Sequence, residues 1–315
     1  MSNIDISIII PSKNSKEKTV SVIKKLSEKI SDIKPEFIVI DMNSTDGGVL
    51  ETLNVIKENN LEGCVIQSGG GTVASALNTG LYKASGKYVT FVYPSRLYKE
   101  YLNEYYNSAE EKNADFVFAP TEGKDGSRIL ISDGVTGADI AVGLIRSSII
   151  MDFTAVIFRR DFLIEKCIRF YEECTFGYAE AFIYNALLHS PKVAYSKICL
   201  ERDNFCDTQK EYTATAASNN CFGRLEAMVK VFALARELHA NDKVLLNAFE
   251  YQKLPAVAMF CVDKLLSEGF KHSSIRKLMK TKKYDQYLDF SMDTSPALRT
   301  KVILWKTLPW IYKPK

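Results

Sequence analysis

The sequence predicts an α/β protein, a mostly parallel sheet flanked by helices, followed by a helical C-terminal extension. Three observations predict it. Up to about residue 200, short β-branched apolar runs alternate with segments of helical spacing. The runs are separated by whole helical segments, so consecutive strands need crossovers and pair in parallel. From about residue 212 onward only helical spacing remains.

The elements follow in order. Residues 4–10 (IDISIII) form a buried strand ended by Pro11. Val20, Ile23, Leu26 and Ile30 give a helix over 16–33, and Pro35 stops it. FIVI (37–40) is the second strand, followed by a polar turn from Asp41 to Gly48 and a helix over 49–59. CVIQ (64–67) is the third and leads through Gly69-Gly70-Gly71 into a helix reaching Ala84. KYVTFV (87–92), a helix over 98–112 and DFVFA (115–119) come next. Residues 121–152 are polar and glycine-containing, and they read as a mobile loop region. TAVIF (154–158) and KVAYS (192–196) enclose helices over 161–170 and 178–188. Helices are then expected over 218–239, 242–268 and 272–280, with a basic amphipathic tail at 297–312. The division falls between a sheet domain, 1–210, and a helical region, 211–315. In parallel sheets ligands bind beyond the carboxyl ends of the strands. That puts Pro11–Asn14, Asp41–Asp46, Gly69–Thr72 and Tyr93–Arg96 on one rim.

Composition narrows the partners. A net charge of +3 implies no polyanion partner by charge alone, and no nucleic-acid partner is expected. The seven cysteines are scattered without a Cys-x-x-Cys pair and the three histidines lie far apart, which argues against structural zinc and for free thiols in a reducing cytosol. No run approaches the ~20 apolar residues of a membrane span, and the polar start is unlike a signal peptide. A cytoplasmic protein is the expectation. Segment 297–312 carries Trp305 and Trp310 beside Arg299, Lys301 and Lys306. Such a helix suits peripheral contact with the inner membrane face. It equally suits packing on the sheet domain or on a second copy in a homodimer.

Four segments, in order, resemble glycosyltransferase family 2. ISIIIPSKN (6–14) resembles its opening strand and Pro-x-x-Asn turn, and FIVIDMNSTDGG (37–48) its second strand and acidic turn. SGGGTVASALNTGLYKASGKYVTFV (68–92) resembles the stretch before the metal site. FRRDFLIE (158–165) and FGYAEAFIYNALLHSPKVAY (176–195) resemble the acceptor-side half. The resemblance implies the GT-A (Rossmann-like) fold and a nucleotide-diphospho-sugar donor, a UDP-sugar first. It also implies transfer to a glycan, glycolipid, protein-linked or lipid-linked acceptor. Gly69-x-Gly71-x-x-Ala74 also fits a loose dinucleotide fingerprint, but it follows the third strand and no acidic residue stands where a ribose would need it.

The resemblance assigns the donor to Ser12, Asn14, Asp41, Asn78, Ser95 and Arg96 and the catalytic base to Glu180, with Glu172 and Glu173 as alternatives. Asp41 could instead cap its own turn. At four places the chain departs from the family pattern. Met42 fills a base-binding Asp position, and Leu77 a basic one. Tyr93-Pro94-Ser95 replaces the Asp-x-Asp metal motif, and Ala181 the usual catalytic Asp. A divalent ion needs anionic oxygens, so none is expected there, and the Arg96 guanidinium is the substitute for its charge. Two readings follow: a transferase with a metal-free donor grip, or a catalytically inactive subunit or binding protein.

Overall fold

The computed structural model describes residues 4–95, 97–119, 134–196, 198, 200–201 and 221–314. Strands β1 (Ile6–Ser12), β2 (Pro35–Asp41), β3 (Glu62–Gln67), β4 (Tyr88–Phe91), β5 (Phe116–Phe118), β6 (Val156–Arg159) and β7 (Val193–Tyr195) form one sheet, ordered β3-β2-β1-β4-β6-β5-β7. β1 is central and fully buried because its side chains are apolar on both faces. Ile6, Ile8 and Ile10 enter one core and Ile9 the other. The pairs β1–β2, β1–β4, β2–β3 and β5–β7 are parallel. β6 runs antiparallel to β4 and β5, where alternation alone predicted parallel pairing. A short apolar run reads the same in either direction, so alternation of strands and helices does not by itself fix the direction of β6.

Helices α1 (Lys16–Lys29), α2 (Gly48–Glu58) and α4 (Leu102–Lys112) cover the first face. Helices α3 (Val73–Lys83), α5 (Gly137–Ile145) and α7 (Tyr178–His189) cover the second, and the short α6 (Arg160–Glu165) follows β6 directly. The C-terminal region is helical: α8 (Phe222–Leu238), α9 (Lys243–Ala248), a π-helical turn (Phe249–Lys253), α10 (Leu254–Ser267), α11 (His272–Thr281) and α12 (Pro296–Thr307). Its Leu225, Val231, Phe249, Val257 and Val302 belong to the same continuous core as Phe91, Phe158 and Leu187. The expected boundary near residue 210 lies outside the described residues.

Several expected elements differ in extent. α5 stands within the stretch read as loop. Thr136 Oγ1 accepts the Asp139 amide and the Asp139 carboxylate accepts the Thr136 amide, a reciprocal cap that starts a helix in glycine-containing sequence. α6 ends at Glu165, two residues before Cys167, which has a positive φ of 52°. The expected 242–268 helix is broken by the π-helical turn. α12 stops at Thr307, because Pro309 disfavours helix in the residue before it. Trp305 is buried against His272 and Tyr312, whereas Trp310 is 67% exposed. Among the described residues no helix is long and apolar enough to cross a membrane.

The entrance to β4 shows how tightly the sheet is built. Glu36 accepts hydrogen bonds from Ser7 Oγ at 2.5 Å, the Ser85 amide at 2.7 Å and the Gly86 amide at 3.2 Å. A Cβ on Gly86 would meet the Ser7 nitrogen at 2.7 Å and the Ile6 carbonyl carbon at 2.8 Å. Both are backbone atoms of the central strand, so neither can move aside. Gly86→Ala is expected to lower stability by about 1–3 kcal/mol, seen as a lower urea midpoint at unchanged slope.

Candidate functional site

The carboxyl ends of β1 and β2 lie side by side, with Ser12 opposite Asp41 in register. Both are buried and both bond within the rim. Ser12 Oγ lies 2.9 Å from Thr19 Oγ1 and 3.1 Å from Ser15 Oγ. Asp41 Oδ2 accepts the Ser44 amide at 3.1 Å, so this side chain does cap the turn that follows it. Asn14 stitches the two turns together. Its amide donates to Ser44 Oγ at 2.9 Å and its Oδ1 accepts the Thr45 amide at 2.9 Å. Asp46 accepts the amides of Lys16 and Gly48, each at 2.9 Å. Burial alone would raise the Asp46 carboxyl, but those amides hold it below its ordinary range. Met42 is buried beside this pair of turns.

Asn78 faces the other side of the rim. Its Nδ2 donates to the Phe170 carbonyl at 3.0 Å and to Glu172 Oε1 at 2.9 Å, and its Oδ1 accepts the Phe170 amide at 2.9 Å. The side chain thus fastens the segment before α7 onto α3. Thr72 adds a bond from Oγ1 to the Glu172 carbonyl at 3.1 Å.

Beyond β4 a cavity of about 580 Å³ opens between residues 93–95, the segment 147–154, the start of α7 and the C-terminal helices. Its wall is largely apolar, with Tyr93, Ile149, Phe153, Tyr178 and Ile183. Tyr93 packs edge-on against Phe153, and its hydroxyl lies 3.3 Å from that of Tyr178. Burial pushes the Tyr178 phenol up to about 12. Of the residues singled out from sequence, Ser95 and Glu180 line this cavity. Ser12, Asn14, Asp41 and Asn78 do not, and Arg96 lies outside the described residues.

The charged part of the wall is an ion triad. Glu180 sits in the first turn of α7, and Arg224 reaches it from α8 with Nε 2.7 Å from Oε2 and Nη2 3.1 Å from Oε1. Lys253, the last residue of the π-helical turn, donates from Nζ to Oε1. The guanidinium also lies over the rings of Phe176 and Phe260, and the ammonium over Tyr184. Burial alone would raise the Glu180 carboxyl. The charges of Lys253 and Arg224 more than offset it and hold the group at about 2. At neutral pH Glu180 is therefore an ionised, weakly basic carboxylate while both cations remain on it.

Sequence reasoning missed Arg224 and Lys253. A signal existed for the lysine. At helical spacing Lys253 falls between Phe249 and Val257, so a charge interrupts an apolar face. Ala181, at the expected base position, is fully buried, as is Leu77. Tyr93, Pro94 and Ser95 offer a divalent ion no anionic oxygen. Among the described residues, no group of three or more His, Cys, Asp or Glu side chains could hold a metal. The residues at this position do not fit the ion that the fold family implies.

The pH dependence of the triad has a definite sign. A carboxyl lowered from its ordinary 4.5 to about 2 stabilises the fold fully above 4.5, and that contribution is lost as pH falls towards 2. Glu180→Gln is expected to cost about 3 kcal/mol at pH 7. The gap from the parent protein should close below pH 4.5, as measured by urea unfolding from pH 7 to 2.5.

Residues 7–130 match the family described as Glycosyl transferase family 2. The poly(ribitol-phosphate) beta-N-acetylglucosaminyltransferase TarP of Staphylococcus aureus (strain N315) is 34% identical over 148 residues. That match covers 43% of this chain and 43% of TarP, less than half the length of either. Among solved structures, S. aureus TarS 1-349 superposes with a TM-score of 0.60 at 19% identity, covering 90% of this chain and 78% of that one. The same protein in complex with UDP-GlcNAc gives 0.58 at 19%, covering 96% and 81%. The mannosyltransferase PcManGT of Pyrobaculum calidifontis, in complex with GDP-Man and Mn2+, gives 0.53 at 15%, covering 97% and 85%. At these identities the solved structures establish the shared GT-A fold, helical C-terminal region included. The likeness to glycosyltransferase family 2 is carried by residues 7–130.

Proposed function

We propose that this protein is a glycosyltransferase that moves a sugar from a nucleoside-diphosphate donor to an acceptor hydroxyl. The observation that carries the reading is a convergence at one cavity. The segment after β4, in a stretch that matches the family, and the first turn of α7 both open onto it. The donor's nucleoside would lie over the turns built by Ser12, Asn14 and Asp41, and its diphosphate towards Ser95 and Arg96. Asn78 would act by pinning the segment before α7. A UDP-sugar is the favoured donor, in line with the UDP-GlcNAc bound to TarS. A glycan of the polyol-phosphate kind is the favoured acceptor, in line with the name of TarP.

In the reaction, the acceptor oxygen bonds to the anomeric carbon as that carbon's bond to the diphosphate oxygen breaks. The leaving diphosphate keeps the electron pair, and the hydroxyl proton passes to Glu180. No step is assigned to a metal. A second reading, a family member that binds without transferring, is favoured by one observation: Ala181 is buried at the base position and Glu180 is held by two cations.

Thermal unfolding with UDP, GDP, CDP and dTDP, each in excess chelator, tests the first reading. At a hundredfold excess over Kd the expected stabilisation is about 2.7 kcal/mol, a rise of several degrees. No rise with any of the four overturns the donor assignment. Where one binds, release of free nucleotide from its diphospho-sugar in the presence of a polyol-phosphate acceptor separates transfer from silent binding.

A further inference from the structure

We infer that Arg224 and Lys253 form a phosphate subsite in this cavity, and that a substrate phosphate seated there releases Glu180 from its ion pairs. Charge is the first support. Glu180 carries one negative charge against two positive ones, and among the described residues the charged groups acting on Lys253 are Glu180 and Arg224. The Lys253 and Arg224 side chains are only 11% and 23% exposed. An excess positive charge so far removed from water is costly unless an anion joins it. The donors suffice for two anions. Arg224 directs two of a guanidinium's five N–H groups to Glu180, and Lys253 one of an ammonium's three.

The backbone gives independent support. A π-helical turn is a rare insertion that concentrates at functional sites, and here it ends on Lys253. Gly177, with φ +81°, begins α7 where any Cβ would lie 2.5 Å from Arg224 Cγ. The chain therefore leaves out a side chain exactly under the arginine stem. No side chain caps α7 at Gly177, so the positive end of its dipole faces the same cavity. The apolar wall lowers the local dielectric and strengthens all of these charges.

The class of ligand is a phosphate mono- or diester on a carbohydrate or polyol, or the donor's own diphosphate. Both present the same oxyanions to a guanidinium and an ammonium. Assigning the phosphate to a substrate rests on the transferase reading, whereas the subsite itself does not. Release follows from competition. Each hydrogen bond that passes from Glu180 to phosphate removes part of what keeps the carboxyl acidic and leaves it a stronger base when acceptor is present.

Calorimetry with glycerol 3-phosphate against glycerol, and UDP against uridine in chelator, tests this on the parent protein, Lys253→Met, Lys253→Arg and Glu180→Gln. At least one phosphate compound should bind where its phosphate-free partner does not. Lys253→Met, which leaves Glu180 balanced by Arg224, should weaken it tenfold or more, and Lys253→Arg should restore most of the loss. Glu180→Gln removes the competing carboxylate and should tighten binding several-fold. If the affected compound is glycerol 3-phosphate, the phosphate is the acceptor's; if UDP, the donor's. Unchanged affinity for both in Lys253→Met overturns the subsite, as does weakening in Glu180→Gln. Sugar transfer that proceeds with Lys253→Met binding unchanged removes the subsite and keeps the transferase. Glycerol 3-phosphate binding without any nucleotide binding does the reverse.

Discussion

The pairing of Glu180 with Arg224 and Lys253 joins the two halves of the chain at the place where chemistry is expected. Glu180 belongs to α7, which packs on the sheet, while both cations come from the helical C-terminal region. Three charges, each largely withdrawn from water, are held by geometry. The cations keep the carboxylate ionised against burial, and the carboxylate offsets their charge in an apolar wall. The neighbouring features answer to this constraint. Gly177 makes room for the arginine stem, the π-helical turn delivers the lysine, and Phe176, Phe260 and Tyr184 offer ring faces to the charges.

The rim at the ends of β1 and β2 is arranged differently. Ser12 and Asp41 bond to residues just after them, Asn14 bonds across to the turn after β2, and Asn78 bonds to the segment before α7. They form a rigid, already satisfied lattice of short polar side chains. The cavity carries cationic and aromatic groups instead. The edge thus divides into a stiff polar frame and a charged, low-dielectric pocket, an arrangement that would suit the proposed donor, with a flat base at one end and anions in the middle.

Much of the architecture could be read from residues 4–119, because each strand there is a dense β-branched run and each turn has a chemical marker such as Pro11, Pro35 or Gly69-Gly70-Gly71. The reversed strand β6 could not, since strand direction depends on the path of the connection and leaves no trace in a five-residue apolar run. α5 was hidden by glycines at 137 and 143, although Thr136 and Asp139 stood at capping-box spacing. Of the residues singled out from sequence, Ser95 comes just after β4 and Glu180 lies in the first turn of α7, and both line the cavity. Arg224 and Lys253 lie more than forty residues from Glu180, and only packing brings them to it. The order of segments can identify a fold, whereas partners contributed by an unmatched helical region emerge from three-dimensional contact alone.

The core shared by the sheet and the C-terminal helices has an evolutionary consequence. Phe91, Phe158 and Leu187 on one side and Leu225, Val231 and Val257 on the other belong to a single apolar core. Severing the polypeptide after β7 would bare a broad greasy face and strip the pocket of both its cations at once. The C-terminal helices therefore could not be lost or exchanged piecemeal without opening that core.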